Sequence, residues 1–471
     1  MPNVSMKQWE RHNVVVDKGG RLVTRKGGVA IHTPADVLVG GFSILVPSSS
    51  EMEHYLFEQS ATTSVVTLFV YDEEFNERYR LRLGDFPSWP VFTYGMTNNQ
   101  LMINSPSLSA PLYGLPGGGM MPAVKTPSEN PDTTALDIPS GHICAFGDRL
   151  PIAQGSVVYF NDPGVDPRSY VAENTVPLPA TIHDIVQGPD GALWMFTPAG
   201  AYNMAADALG QGQSVAGFIS LTPEAATSRP GNAASTIFGV VALTDDGVLV
   251  LNGGSSRAIP FSTYQGRRRL SQPVDVLDAR QFGRVFPTST GAVIGFGVDR
   301  NYCIHLDLQE GGVSFLSSAA VPGAFHAVGV LRTRDGEDLL ITPDAVWSLH
   351  VKGNTSNTGV LCGRIQAGPA DNPLLRRVTV SAANAGEGVT VNCNNVQDSA
   401  NTSLNGDAII GVNNWGTPLA TLTARSARCT LNVRGTELDV EVAVAGRARV
   451  IVDTLELQAG GTWRTKKETQ A

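Results

Sequence analysis

From about Pro87 to Val351 one pattern recurs: an apolar run, a turn carrying Gly or Asp, then a second run closing on an aromatic or aliphatic pair. The copies are NNQLMINSPSLSAPLYGL, HICAFGDRLPIAQGSVVYFND, IHDIVQGPDGALWMFTPAGAYNM, IFGVVALTDDGVLVLNGGSSRAIPF, RVFPTSTGAVIGFGVDRNYCIHLDL and FHAVGVLRTRDGEDLLITPDAVWSLHV. The turns PDG, DDG, STG and RDG stand at comparable places in the last four. Starts near Ile143, Ile182, Ile237, Val285 and Ala327 are separated by roughly forty to fifty-five residues, the period of propeller blades. A lone twisted four-stranded sheet cannot bury both faces, whereas sheets packed radially bury each other's. The pattern therefore predicts an all-β fold built on a divergent β-propeller of about six blades.

On either side the periodicity changes. Over 13–86, VVVDKGGRLVTRKGGVAIHTP reads as successive hairpins at Gly19-Gly20 and Gly27-Gly28, followed by SVVTLFVYDEEFNERYRLRL. In that second stretch Tyr79, Leu81 and Leu83 alternate with Arg78, Arg80 and Arg82, predicting one buried face and one that carries guanidinium groups outward. GLPGGGMMPAVKTPSENPDTT (114–134) is too rich in Gly and Pro for a strand pair and reads as a long exposed loop. After Val351 the chain turns polar. Residues 352–373 read as a linker holding at most one strand, and RRVTVSA, GVTVNCNNV, RCTLNVRG, TELDVEVAVAG and RARVIVDTLELQA alternate with period two, predicting a C-terminal β-sandwich. The expected organisation is an N-terminal β-hairpin region (1–86) that completes the propeller or contacts neighbours, a propeller (87–351), a linker (352–373), a C-terminal β-sandwich or platform (374–464) and a frayed tail (465–471).

Composition supports the strand-and-turn reading: 50 Gly and 29 Pro accompany only 16% charged residues among 471. The net charge of −9 argues against a surface that grips nucleic-acid phosphate, which needs clustered Lys and Arg. No window reaches the eighteen or more apolar residues of a membrane-spanning helix, and the polar start MPNVSMKQWERHN lacks a secretory apolar region, so a protein made in a cytoplasm is expected. Cys144, Cys303, Cys362, Cys393 and Cys429 are scattered without a C-x-x-C pair, which predicts buried thiols rather than a zinc site or a disulfide framework.

Candidate chemistry is sparse. Asp162, Asp166 and Asp184 raise a paired-carboxylate reading. Asp162 precedes Pro163-Gly164 and Asp166 precedes Pro167, however, which are positions for turn chemistry. His142, His183, His305 and His326 lack metal-binding spacing, LYGLPGGGMM lacks the Lys and helix of a phosphate loop, and NCNNVQDSANTSLNGD has too few carboxylates for calcium. No catalytic residue, cofactor or metal is expected. Arg267, Arg268 and Arg269 form the sharpest charge run and are the candidate interface with an acidic partner or DNA phosphate.

The stretch from Val157 to Met204 resembles a blade of the tail nozzle proteins (tail tubular protein B, or tail hub) of short-tailed bacteriophages. The likeness rests on Tyr159, Asn161, Asp162, Pro163 and Gly164 at a strand end and turn, then Asn174, Leu178 and Pro179, an apolar pair Ile182 and Ile185, and a closing strand with Leu193, Phe196, Thr197, Gly200 and Tyr202. GGRLVTRKGG resembles that family's N-terminal hairpin. The resemblance implies a non-enzymatic virion protein, assembled in the host cytoplasm and resident in the tail. Six copies would form a tube below the portal and adaptor through which the genome is held and ejected, with fibres or spikes as further partners. The 114–134 loop is then a candidate gate. The alternatives are a propeller that binds or hydrolyses host-surface glycans, and a monomeric interaction module.

Overall fold

A computed structural model describes residues 28–348 apart from 88, 128–133, 163–165, 206–218, 245–246, 253–254, 260–282, 297–301, 310–311, 318–320, 322 and 324–325, together with strand segments between 10 and 24 and between 358 and 458. Its central part comprises seven antiparallel four-stranded units, six of them separate sheets and one the first four strands of a nine-stranded sheet. In chain order these are blade 1 (37–85), blade 2 (93–122), blade 3 (142–177), blade 4 (184–222), blade 5 (233–259), blade 6 (284–317) and blade 7, whose strands at 329–348 are completed by Val29–His32. The fold is an all-β, seven-bladed propeller.

The six sequence repeats correspond to blades 2–7 in order, and the count of about six is corrected to seven. The extra blade lies within the stretch read as N-terminal hairpins. Its strands, Val37–Leu45, Met52–Gln59, Val65–Tyr71 and Glu77–Asp85, run seven to nine residues and lack the PDG, DDG, STG or RDG turns that mark blades 4 to 7. The outer strand keeps the expected alternation: Tyr79, Leu81 and Leu83 pack on the core while Arg78, Arg80 and Arg82 are exposed. A second correction concerns 114–134. Leu112–Gly114 and Met120–Pro122 are the third and fourth strands of blade 2, and the glycines serve the turn between them. Gly117 takes φ +81 and donates its N–H to Glu53 Oε2 at 2.9 Å, docking the turn on blade 1. Strands of three residues are too short to show alternation, which is why composition misled there.

Packing explains why the middle strands are apolar throughout. Successive side chains point to opposite faces, and in a wheel both faces meet a neighbouring blade. On Leu193–Thr197, Leu193 and Met195 pack with Val158 and Phe160 of blade 3, while Trp194 and Phe196 pack with Val240 and Leu249 of blade 5. On Gln100–Asn104, Leu101 and Ile103 face Tyr55 and Phe57 of blade 1, and Met102 faces Ile143 and Tyr170 of blade 3. The remaining interfaces are equally continuous: Val241 with Ile294 between blades 5 and 6, Val293 with Leu340 between 6 and 7, and Ile341 with Leu56 between 7 and 1. Every adjacent pair shares a core, so the ring is closed.

The first strand of each blade is innermost, where the wedges narrow and small residues let backbones approach. A Cβ on Gly41 of blade 1 would stand 2.7 Å from Ile341 Cδ1 of blade 7 and 2.8 Å from Tyr55 O. One on Gly95 of blade 2 would stand 2.8 Å from the Cys144 carbonyl of blade 3. Gly41→Ala is therefore expected to destabilise the protein by about 2 kcal/mol through overpacking. Denaturant titration followed by circular dichroism tests this, and an unchanged midpoint would contradict the tight axial fit.

Beyond the wheel, two further antiparallel assemblies use both chain ends. Thr358–Gln366, Glu437–Ala445, Val389–Asn395 and Ala408–Ile410 make one; the hairpin Val14–Val16/Leu22–Thr24 joins Arg449–Gln458, Leu374–Ala382 and Ser426–Arg434 in the other. Glu10–His12 pairs in parallel with the outer strand of blade 6, Arg11 opposite Ser314, and antiparallel with Thr358–Gln366. One ladder thus runs from the wheel into the terminal sheets.

Candidate functional site

Because each blade begins inside, the inner strands all start on one face, with Val37, Thr93, His142, Asp184, Ala233, Arg284 and Gly329 around the axis. The connection from blade 1 to blade 2 crosses this mouth. Gln59 Nε2 donates to the carbonyls of Phe86 at 3.0 Å and Pro87 at 3.3 Å, fixing its start. Its far end is held by Arg284 of blade 6, which donates to the Pro90 carbonyl at 3.2 Å and to the Trp89 carbonyl. The Arg284 guanidinium carbon lies 5.9 Å from the centre of the Trp89 ring, and the His326 ring, from the segment entering blade 7, stacks on that indole at 4.9 Å and 29°. In a ring of seven, blades 2 and 6 are three steps apart, so these contacts bridge the axis. Trp89 has φ +60, a conformation rarely adopted by bulky residues, and the contacts from blades 1, 6 and 7 hold it there. Beside it lies a cavity of about 350 Å³ lined by Val37, Leu38, Val39, Gln59 and His326.

A polar chain continues from this bridge around the mouth. Asp184, 4% exposed at the start of blade 4, accepts the N–H of Gly231 at 2.9 Å and of Ala233 at 3.2 Å from blade 5. Burial raises its carboxyl to about 7, opposed by those hydrogen bonds and by the Arg284 charge. Burial, aided by repulsion from Arg229, lowers the half-buried Arg284 to about 10, while Asp184 acts in the opposite sense. Buried Asn232 accepts the Arg229 N–H at 3.1 Å and donates to the Gly283 carbonyl at 2.9 Å. The Asp184 oxygens are directed at backbone donors, so this geometry suits a clamp between blades. Among the described residues, no group of three or more His, Cys, Asp or Glu could hold a metal ion.

Of the residues singled out in the sequence, Asp184, His142 and His326 lie at this mouth, and the family-like stretch falls elsewhere. Asn161 is fully buried at a corner of blade 3: its Oδ1 accepts the Leu150 N–H at 2.6 Å, and its carbonyl accepts Arg149 Nη1 at 3.2 Å. The Asp162 carboxylate accepts Asn174 Nδ2 at 2.9 Å and Ser169 Oγ at 3.1 Å. Asp166 caps its own turn and pairs with Arg168, which holds its carboxyl below the ordinary range and stacks over Tyr113 at 4.5 Å. Tyr159 is half-buried, Leu178, Leu193, Phe196 and Tyr202 are buried, and Pro179 is exposed. Thr197 Oγ1 donates to the Gly200 carbonyl at 2.8 Å, and Gly200, at φ +137, packs where a Cβ would meet Thr222 O at 2.7 Å. Pro163, Gly164 and Arg267–Arg269 lie outside the described residues.

Two groups escaped sequence reading. The Thr197 turn recurs as Thr236 to Gly239, Thr244 to Gly247 and Thr342 to Ala345, with distances of 2.7, 3.0 and 3.2 Å. The spacing Thr-x-x-Gly or Thr-x-x-Ala was available as its signal. Gln59, Trp89 and Arg284 had no local signal, and Asp184 was singled out only as a carboxylate, since ring closure alone brings the four together.

No family model and no curated protein matches the chain. Among solved structures it is similar to the extracellular domain of the putative hybrid two component system BT4673 from B. thetaiotaomicron, with 11% identity over 70% of this chain and a TM-score of 0.30; it spans only 40% of that chain. It is also similar to XC5397 from Xanthomonas campestris, a gluconolactonase, with 11% identity, a TM-score of 0.33 and coverage of 69% of this chain and 98% of that one. For an exo-beta-1,3-galactanase from Phanerochaete chrysosporium the values are 10% identity, a TM-score of 0.25, 90% and 99%. Likeness at this level assigns no activity.

Proposed function

We propose that this protein is a structural component of a short-tailed phage tail, a nozzle subunit without a reaction of its own. Six copies would surround the path by which DNA is retained and then ejected. The observation that carries the reading is the use to which the family-like stretch is put: Asn161, Asp162, Asn174 and Thr197 are spent on corners and turns, and Leu193, Phe196 and Tyr202 on packing between blades. A motif that maintains a wheel fits a mechanical part.

The bridged axis supports the same reading. With Trp89 and Arg284 bridging its mouth, the propeller axis is not where the conduit is placed; in this reading it runs between subunits. A net charge of −9 on each subunit would keep the wall from gripping phosphate. The terminal sheets, tied to blade 6 through Glu10–His12, would supply contacts to adaptor and fibres.

Light scattering and negative-stain imaging of the purified chain, alone and with tail particles, test the proposal. The expected result is a sixfold ring, or six copies in each particle, with DNA eluting separately at physiological salt. A monomeric wheel that neither enters tails nor oligomerises, and that binds host-surface polysaccharide, would replace it with the glycan reading.

A further inference from the structure

Among the described residues, blade 7 is the one blade whose four strands come from distant parts of the chain. Its fourth strand, Val29–His32, is joined to Ala345–Ser348 by hydrogen bonds alone, in the register Val346–His32, Trp347–Ala30 and Ser348–Val29, with a bulge between Val346 and Trp347. The ring therefore has a non-covalent seam. At the end of that strand the His32 ring lies edge-on to Tyr71 at 4.7 Å and stacks on Phe75 at 5.3 Å and 19°. Fully buried His54, from blade 1, stacks on the same Phe75 at 4.8 Å and 21°. Phe75 takes φ +63, held by its N–H to the Asp72 carbonyl at 3.1 Å.

Both imidazoles are poorly placed to carry charge. His32 Nε2 and His54 Nε2 are buried without a hydrogen-bond partner. His54 Nδ1 shares a 2.9 Å hydrogen bond with Ser43 Oγ, and that oxygen also accepts the Arg332 N–H of blade 7 at 2.9 Å. A doubly protonated ring at either site would leave an N–H facing apolar surroundings. The charged and titratable groups around them give little relief. Asp72 attracts His54, but its carboxylate is already engaged by the N–H groups of Glu74 and Asn76 and by the Asn76 amide. Glu53 is occupied by Tyr55, Arg78 and Gly117, and Glu58 accepts the Asp36 N–H and interacts with Tyr71. From blade 7, Arg332 pairs with Asp338 at 3.5 Å.

We propose that this histidine pair is an acid-released latch: charging His32 and His54 detaches Val29–His32 from blade 7 and opens the ring at its seam while the other blades stay assembled. The inference is independent of the nozzle reading.

Burial lowers His32 and brings His54 down to about 4, Asp72 opposing. The folded seam thus binds fewer protons than the open one. Its stability is full above the ordinary histidine value near 6.5 and is lost as pH falls toward 4. Each imidazole contributes to that loss as far as opening brings it to solvent, so the opening constant rises as pH falls below about 6.5.

Hydrogen–deuterium exchange with mass spectrometry on the full chain at pH 7 and pH 4.5, corrected for intrinsic exchange, reads this directly. Peptides covering 29–32 and 345–348 are expected to lose protection about tenfold on acidification, while 193–204 of blade 4 stays protected. In His54→Gln the acid-dependent part should shrink, and in the double variant His32→Gln/His54→Gln, which cannot be charged there, it should disappear even if the seam is looser at both pH values. Uniform loss across all blades, or an unchanged acid response in the double variant, would overturn the proposal.

Discussion

Replacing Trp194 with alanine is expected to cost about 4 kcal/mol, the largest loss of any single truncation considered for this wheel. Trp194 is 1% exposed and fills the space between blades 4 and 5, against Val240, Ala242, Leu249 and Leu251. Blades meet as flat wedges fixed by their other neighbours, so the void has little chance to collapse, and the cavity penalty adds to the lost burial. Trp194→Phe should cost less than half as much. Phenylalanine keeps most of the apolar volume and removes an indole N–H that is buried without a partner. Denaturant titrations by circular dichroism decide the matter: equal losses for both variants would show that the site responds to shape alone, and a loss below ~1.5 kcal/mol for alanine would contradict the packing described.

The second large effect is expected at Asp184. Asp184→Ala leaves the N–H groups of Gly231 and Ala233 facing a buried gap, at about 3 kcal/mol for the pair. Asp184→Asn retains an acceptor oxygen and should cost about half of that. Their pH dependence distinguishes this site from the histidine seam. Burial raises the Asp184 carboxyl to about 7, so folding takes up a proton there; its contribution is full below the usual carboxylate value near 4 and is lost as pH rises through 7. Asp184→Asn should therefore gain on the parent protein between pH 4 and pH 7. A constant difference across that range would mean that the carboxyl titrates normally.

Much of the wheel was legible because its middle strands are buried on both faces. Runs such as LWMFT and VVALT stay apolar without alternation, and short turns between them set a visible period. Blade 1 hid because its strands are long and its turns lack Asp-Gly, and the last strands of blade 2 hid behind Gly117–Gly119. The bridged mouth was not legible. Gln59, Trp89, Asp184 and Arg284 occupy four distant stretches, and their meeting depends on seven sheets closing, a property that no local window contains. Asp184 was grouped in the sequence with Asp162 and Asp166, yet only those two close their own turns; Asp184 binds the next blade.

Closure by Val29–His32 also bears on biogenesis. That strand leaves the ribosome early, yet its partner at Ala345–Ser348 follows only after roughly three hundred further residues, ~15–60 s at ordinary elongation rates of about 5–20 residues per second. Throughout that interval the nascent wheel is an open arc with two unsatisfied rims, one at blade 1 that includes Leu56 and one at whichever blade was synthesised last. Neighbouring chains on one polysome could exchange these rims, so expression slowed late in the message should favour swapped and aggregated products.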